Sequence, residues 1–275
     1  MCLIAFAIGA HPRWPLLIAA NRDEHFDRPT LPLQRWHTAA GQTLISGRDQ
    51  RAGGTWLGLS TTGRVAMLTN VCEPGMAPGA RSRGELPLAW LESRQSAEDF
   101  FEGLDLQAYS GFNLVIGELA GEHWHWLSNR QPGPQGVRAG RQHERLGPGV
   151  YGLSNAFLNT PWPKTVRLRE TVAQTLKQAQ QGPLLREPLW QALANRDQPA
   201  DELLPRTGVP WTAEKDLSSA LVRFPDGRYG TRSSLLVTAE ARTPEHWHLS
   251  LEEKSWDPDR LGEMHQESLD WPAAQ

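Results

Sequence analysis

Cysteine is scarce in this chain of 275 residues, which contains only Cys2 and Cys72. Two cysteines do not make a disulfide framework, so their scarcity favours a reducing compartment. Long apolar runs are absent as well, since none approaches the roughly 20 residues of a membrane-spanning helix. The apolar run at residues 3–10 is as long as a signal-peptide core, but no basic segment precedes it. We therefore interpret it as a strand and expect a cytoplasmic protein without a membrane span.

Excess positive charge is also absent from the composition. The net charge is −3 at pH 7, which does not imply an electrostatic surface for nucleic acid. No GxGxxG, P-loop or GxSxG element is present, so the common sequence signals for dinucleotide binding, phosphate binding and a serine nucleophile are missing. The composition fits a soluble globular protein and gives no indication of a nucleic-acid partner.

Tryptophan and proline, in contrast, are abundant, with 12 and 21 residues. We interpret the tryptophans as core anchors and the prolines as residues that stiffen loops. The alternative is an aromatic-lined pocket for a large flat or acyl ligand. Several tryptophans lie in predicted strands or beside proline, namely Trp14, Trp36, Trp56, Trp162, Trp211 and Trp271.

The first two dozen residues predict a β-hairpin that places a thiol beside charged side chains. Two short apolar runs, residues 3–8 and 16–20, flank a turn that contains two prolines. If the turn centres near Pro12, antiparallel pairing places Cys2 opposite Arg22. The thiol would then lie beside the charged cluster that follows the second strand.

Removal of Met1 would make Cys2 the N-terminal residue, and we hypothesise that it is removed in the cell. The α-amine, with a pKa of about 7.7–8.0, would then be close in basicity to the thiol, with a pKa of about 8.5. Such an amine can act as the base for its own side chain. Arg22 would favour the thiolate, and either Asp23 or Glu24 would hold the ammonium group.

Further along the chain, hairpins alternate with two helical blocks, which predicts an α+β protein. Two mainly antiparallel sheets packed face to face, with helices on the outside, would satisfy this order. No domain boundary is evident, so we expect a single domain over residues 1–275.

The loop at residues 72–83 follows a candidate site residue and is either a lid or surface slack. Helices are predicted over residues 84–93, 96–104, 160–182 and 186–195, and late strands over 217–224, 229–239 and 246–252. Residues 131–149 are predicted to be mainly loop, and the polar segment after Trp256 is predicted to be a surface tail.

An ordered set of motifs covers nearly the whole chain: Asn21-Arg22-Asp23-Glu24, Gly53-Gly54-Thr55-Trp56-Leu57-Gly58, Leu68-Thr69-Asn70, Leu153-Ser154-Asn155 and Thr231-Arg232-Ser233-Ser234. With the N-terminal Met-Cys, this set resembles the NRDE (transport and Golgi organisation 2) family. A more distant similarity is to the N-terminal-nucleophile amidases that cleave penicillin V and conjugated bile salts. The resemblance implies a four-layer α-β-β-α sandwich, an N-terminal-nucleophile hydrolase-like fold.

The resemblance also implies roles for six residues. Cys2 would be the nucleophile, Arg22 would support the thiolate and Asp23 would hold the amine. The side-chain amides of Asn70 and Asn155 would hold the oxyanion, and Arg232 would complete the site. The amidases space their Arg and Asp three residues apart, whereas here the two are adjacent. Either Asp23 or Glu24 therefore takes the amine role.

Some of these residues have plainer interpretations. Asparagine at a strand end commonly supplies turn chemistry rather than an oxyanion donor. A buried Arg232 needs a partner, for which we expect Asp23 or Glu24. Two His-Trp-His segments place His123 with His125, and His246 with His248, on one strand face each. We expect these histidines to face water while the interleaved tryptophans face the core, and we expect no metal site.

The sequence therefore predicts a cysteine amidase or related acyl hydrolase that acts on a small acyl or amide substrate and needs no cofactor. The alternative is a binding or carrier protein that uses the same pocket for haem or an acyl-CoA-like lipid. Resemblance supports this alternative, because NRDE proteins have been linked to haem trafficking and lipid handling. In either case the expected partner is a small molecule.

Overall fold

The computed structural model describes residues 2–119, 121, 123–133, 136–180 and 183–272, and two antiparallel sheets dominate it. The first sheet has the spatial order β10 (Gly149–Leu153), β1 (Cys2–Ile8), β2 (Leu16–His25), β11 (Tyr229–Ala241), β12 (Trp247–Ser255) and β13 (Met264–Trp271). The second sheet runs in chain order through β3 (Thr30–His37), β4 (Thr43–Asp49), β5 (Leu57–Ser60), β6 (Arg64–Asn70), β7 (Phe112–Glu118), β8 (Trp124–Gly133) and β9 (Gly136–Leu146).

Helices cover the outer faces of the two sheets. The α-helices of the described residues are α1 (Glu85–Glu92), α2 (Ala97–Glu102), α3 (Pro163–Ala179), α4 (Glu187–Leu193) and α5 (Trp211–Asp216). Helices α3 and α4 pack on the first sheet, and α1 and α2 pack on the second. The expected α+β architecture of four α-β-β-α layers is thus confirmed. None of these helices has both the length and the apolar character that crossing a bilayer requires.

Strand β1 shows why the apolar run at the N-terminus has no polar alternation. Successive side chains of a strand point to opposite faces of the sheet. Ile4 and Phe6 therefore pack in the core between the sheets, whereas Leu3 and Ala5 pack against α3 and α4. Because both faces are covered, every residue of β1 is buried.

The N-terminal hairpin has the predicted register. Cys2 lies directly opposite Arg22, and Ile8 lies opposite Leu16. Strand β1 also pairs with β10, and β2 pairs with β11, so the hairpin occupies the middle of the first sheet. The open end of the hairpin, with Cys2 and Arg22, consequently lies at one end of the sandwich.

Several secondary-structure predictions at the sheet edges and near the C-terminus are wrong. Residues 131–149 and the polar segment after Trp256 contain the edge strands β9 and β13 rather than loop and tail. Both strands have one face toward water, so their polar composition conceals them. The strand predicted over 217–224 is irregular, with a single bridge between Arg223 and Gly230. The predicted helix stop at Gly182 lies outside the described residues.

Candidate active site

Cys2 is the first residue of β1 and is 7% exposed. Its carbonyl oxygen accepts a hydrogen bond from the Ser154 hydroxyl at 3.0 Å, which ties the strand to the end of β10. Burial raises the pKa of the Cys2 thiol, and the charge of Asp23 raises it further. The cation of Arg22 and the backbone N–H of Asp23 oppose this by favouring the thiolate, which lowers the pKa. The thiol therefore needs a base to become a nucleophile near neutral pH.

Arg22 projects toward the same space from the opposite strand and is also nearly buried. Its guanidinium donates a long hydrogen bond, 3.4 Å, to the Thr30 hydroxyl. Among the described residues, no carboxylate oxygen lies within 4.0 Å of it. The cation is therefore available to a thiolate or to a bound anion.

Asp23, the next residue on β2, is held by the neighbouring strand β11. Its Oδ1 accepts a hydrogen bond of 2.7 Å from Thr231, and its carbonyl oxygen accepts one of 3.2 Å from the Tyr229 hydroxyl. Burial raises the pKa of the Asp23 carboxyl, and the cation of Lys164 is the largest opposing influence. Glu24, the alternative amine holder, is half-buried and accepts a hydrogen bond from the backbone N–H of His25.

Lys164 is a buried site residue that sequence reasoning missed. It lies in the first turn of α3, and its ammonium group donates to the carbonyl oxygen of Leu217 at 2.6 Å. Burial lowers the pKa of Lys164, and the charges of Asp23 and Cys2 oppose that shift. A lysine in a first helical turn opposes the helix dipole, and this mismatch is the one signal that could have drawn attention to it.

The two candidate asparagines play different parts. Asn70 ends β6, and its side chain lines the cavity beside Cys2 without a hydrogen bond from the described residues. Asn155 follows β10, and its side-chain amide donates to the carbonyl oxygen of Asn70 at 3.0 Å. Its side-chain oxygen accepts from Ser154 at 3.1 Å. Asn155 thus fastens the two strand ends together, and Asn70 faces the cavity.

Arg232 lies beside this site without lining the cavity. It sits in a β-bulge of β11, between Thr231 and Ser233, and is 6% exposed. Its guanidinium forms an ion pair with Asp257 and donates to the carbonyl oxygen of Arg28. The expectation that Asp23 or Glu24 would be its partner is therefore wrong. The reason is the bulge, which adds a residue to β11 and shifts the pairing with β2 at this point.

The cavity beside Cys2 has a volume of about 340 Å³ and opens at the end of the sandwich. Cys2, Arg22, Asp23 and Asn70 line it, so four of the six predicted site residues meet there. Residues 78–84, at and beyond the end of the loop that was predicted as a lid or surface slack, form one of its walls. Trp56 is the one tryptophan among the described lining residues, so most tryptophans serve elsewhere.

The double-glycine motif explains how that wall is held in place. A Cβ atom on Gly54 would lie 2.3 Å from the carbonyl oxygen of Gly84, a distance that no side chain tolerates. The neighbouring backbone N–H of Thr55 donates to the same oxygen at 3.1 Å. Glycine at position 54 therefore permits the close approach that brings residues 78–84 beside Cys2.

The first of the two His-Trp-His segments differs from expectation. Trp124 is buried as expected, but the neighbouring His125 is also buried. One ring nitrogen of His125 lies 2.7 Å from His143, and the other lies 3.7 Å from Glu98. The possible ligand atoms of Glu98, His125 and His143 lie within 4.8 Å of one another. The fold therefore assembles a potential metal-binding group that the sequence did not reveal.

Comparison with known proteins identifies the family of this chain. The family model described as Transport and Golgi organisation 2 matches residues 1–257. A Transport and Golgi organization protein 2 homolog from Bos taurus is 33% identical, covering 94% of this chain and 96% of the relative. Its Mus musculus counterpart is 31% identical, covering 93% of each. A conjugated bile acid hydrolase from Clostridium perfringens aligns with 100% of this chain and 99% of its own, at 8% identity and a TM-score of 0.48. The chain belongs to the Transport and Golgi organisation 2 family.

Proposed function

We propose that this protein is an N-terminal-nucleophile-type cysteine hydrolase that acts on a small acyl or amide substrate. The observation that carries the proposal is the position of Cys2. Its thiol lies at the start of a central strand, beside a cavity, with a cation directly opposite. A structural cysteine needs neither the cavity nor the cation.

In the proposed reaction, removal of Met1 leaves a free α-amine on Cys2. The amine takes the proton of its own thiol, and the thiolate attacks the substrate carbonyl. The resulting oxyanion accepts a hydrogen bond from the Asn70 amide, and Arg22 stabilises the negative charge before and after attack. The ammonium proton passes to the leaving group as the tetrahedral intermediate collapses to a thioester. Water then attacks the thioester, which releases the acid and restores the thiol.

Asp23 and Lys164 support this cycle through their charges. The Asp23 carboxylate would hold the α-ammonium group in the orientation that reaches the sulfur. Burial raises the pKa of this carboxyl and so favours its protonated form. The ammonium group of Lys164 opposes that shift and favours the carboxylate.

The decisive experiment labels purified protein with an acyl-directed electrophile and identifies the modified peptide by mass spectrometry. We expect an acyl adduct on Cys2 and none on Cys72, with Cys2→Ala as the control that abolishes labelling. An adduct that survives Cys2→Ala, or the absence of any adduct, would contradict the proposal.

The second candidate is a ligand carrier that uses the same cavity without chemistry. The raised pKa of Cys2 favours it, because a buried neutral thiol is unreactive. Haem fits the cavity poorly, since Cys2 is the one conventional axial ligand among the described lining residues and many of the walls are charged. A titration with haem that produced a Soret shift, lost in Cys2→Ala, would support a carrier that uses this cavity and count against the hydrolase.

A further inference from the structure

The cavity beside Cys2 carries more positive than negative groups. Among its described lining residues are three acidic residues and five arginines, namely Arg22, Arg28, Arg48, Arg81 and Arg83. Two of these arginines already have carboxylate partners. Arg28 pairs with Asp49 at 2.5 Å, and Arg81 pairs with Glu85 at 2.7 Å. The charge of the other three faces the cavity without a carboxylate partner among the residues that the structure describes.

Arg83 stands out within this group. It lies in the turn before α1, on the wall that the Gly54–Gly84 contact holds in place. Its guanidinium is half-buried and donates one hydrogen bond, of 3.1 Å, to the carbonyl oxygen of Gly111. No carboxylate oxygen of the described residues lies within 4.0 Å of it. Most of its five N–H donors therefore have no acceptor in the described part of the protein.

The acidic residues around Arg83 are engaged elsewhere. Glu73 accepts two hydrogen bonds from Arg130, at 2.6 and 3.0 Å. Glu24 accepts from the backbone N–H of His25 and lies 3.9 Å from Arg28. Both affect Arg83 only through longer-range attraction, and burial lowers the pKa of Arg83 despite them. Burying this cation costs free energy that a bound anion would offset.

We propose that Arg83 forms a binding subsite for an anionic group of the ligand: a carboxylate, sulfonate or phosphate. The planar guanidinium can donate two parallel hydrogen bonds to such a group. Arg48, whose guanidinium lies over the Trp36 ring at 4.6 Å, adds a second cation to the same cavity. The substrate class is then an acyl or amide compound that carries a negative charge, because Arg83 and Cys2 line the same cavity.

This inference rests on the proposed function, because it assigns the anion subsite to a substrate. The binding test below does not depend on that function. The full chain carrying Cys2→Ala binds without turnover, and it has no thiolate that Arg83 could act on instead. We would measure dissociation constants for N-acylglycines of increasing chain length and for the matching neutral N-acylglycinamides. We expect the carboxylates to bind at least about tenfold more tightly, as a charge-assisted hydrogen-bonded pair provides.

Arg83→Gln and Arg81→Gln are matched variants on one loop. Both residues line the cavity, but Arg81 is already paired with Glu85. Arg83→Gln should weaken carboxylate binding by about tenfold and leave the amides within about twofold, whereas Arg81→Gln should change neither appreciably. Raising the salt concentration should weaken the carboxylates and spare the amides.

Equal effects of the two variants, equal binding of carboxylates and amides, or no binding of any carboxylate at millimolar concentration would overturn the inference. Failure of the hydrolase proposal is a separate outcome. Charge-selective binding without acylation of Cys2 would support the anion subsite and contradict the hydrolase proposal. Acylation of Cys2 without an effect of Arg83→Gln would support the hydrolase proposal and contradict the anion subsite.

Discussion

The side-chain amide of Asn155 donates a hydrogen bond to the carbonyl oxygen of Asn70 at 3.0 Å. This contact joins the end of β10 in one sheet to the end of β6 in the other. It also distinguishes two asparagines to which the sequence motifs assign the same role. Asn70 keeps its side chain for the cavity, and Asn155 uses its own to hold the two strand ends beside Cys2.

Replacement of the two asparagines should therefore have different effects. Asn70→Ala removes the proposed oxyanion donor, and we expect kcat to fall by about 10²–10³ with little change in stability. Asn155→Ala leaves buried partners without a hydrogen bond, and we expect unfolding to become easier by about 1–3 kcal/mol. Turnover of an acyl substrate and denaturant unfolding measure the two effects. Equal losses of activity at equal stability would contradict the division of roles.

Intact-mass measurement of protein from its native host tests the N-terminus. We expect a mass that lacks the methionine, because an amide nitrogen cannot take the proton of the Cys2 thiol. Cys2→Ala should abolish turnover, and Cys72→Ala should retain it. Full activity of a protein that still carries its methionine would exclude the α-amine as the base.

The reactivity of Cys2 should depend on Arg22. Burial raises the pKa of the Cys2 thiol, and the Arg22 cation lowers it. Arg22→Gln should therefore move the rise of the alkylation rate to still higher pH. Iodoacetamide labelling at a series of pH values, with peptide mapping to separate Cys2 from Cys72, measures this. An unchanged pH profile would show that Arg22 does not act on the thiol.

The pH dependence of turnover should depend on Lys164. Burial raises the pKa of Asp23, and Lys164 opposes the rise by favouring the carboxylate. Lys164→Met removes the cation, so Asp23 should take up its proton at higher pH than before. The acid limb of the kcat/KM profile should then move upward in pH. Lys177→Met, at the other end of α3, is the control and should leave the limb in place.

Arg232 and Asp257 should matter for stability more than for chemistry. Both are nearly buried, and Arg232→Met leaves the Asp257 carboxylate with only the longer ion pair to Arg260, at 3.6 Å. The free energy of unfolding should fall by up to about 3–5 kcal/mol. Arg35→Met breaks a more exposed ion pair with Glu267 and should cost less than about 1 kcal/mol. Denaturant unfolding compares the two variants. A small effect of Arg232→Met would argue that the buried pair contributes little.

The same pair gives an acid dependence of stability. Burial would raise the pKa of Asp257, but the hydrogen bond and charge of Arg232 lower it below its ordinary value. A group whose pKa is lowered by folding stabilises the fold above its unfolded pKa, and that stability is lost as the pH falls further. The wild type should therefore lose stability below about pH 4, and Arg232→Met should show a weaker decline. Unfolding curves at several pH values measure it.

Sequence reasoning reached the parts of the fold that depend on local pattern. The apolar runs around Pro12 define a hairpin register, because pairing positions in a hairpin are symmetric about its turn. The edge strands β9 and β13 were not predicted, because their polar composition resembles that of a loop. Strand β11 was recognised, but its bulge at Arg232 depends on pairing with β2 and has no signature in the chain.

The candidate site was predictable to the same degree. Cys2, Arg22, Asp23 and Asn70 belong to motifs, and the structure brings them to one cavity. Lys164 and Arg83 belong to no motif, and only packing of α3 and of the turn before α1 places them near the thiol. A charge that acquires its role through burial cannot be recognised before the burying elements are known.

The central position of β1 has a consequence for biosynthesis. Its neighbour β2 needs β11 on its other side, which ends about 215 residues further along the chain. At about 5–20 residues per second, a ribosome takes about 10–40 s to supply that strand. During this interval the amino end of the nascent chain cannot be enclosed in its completed sheet. Under the proposed function, methionine removal therefore has its opportunity early, before the completed sheet buries Cys2.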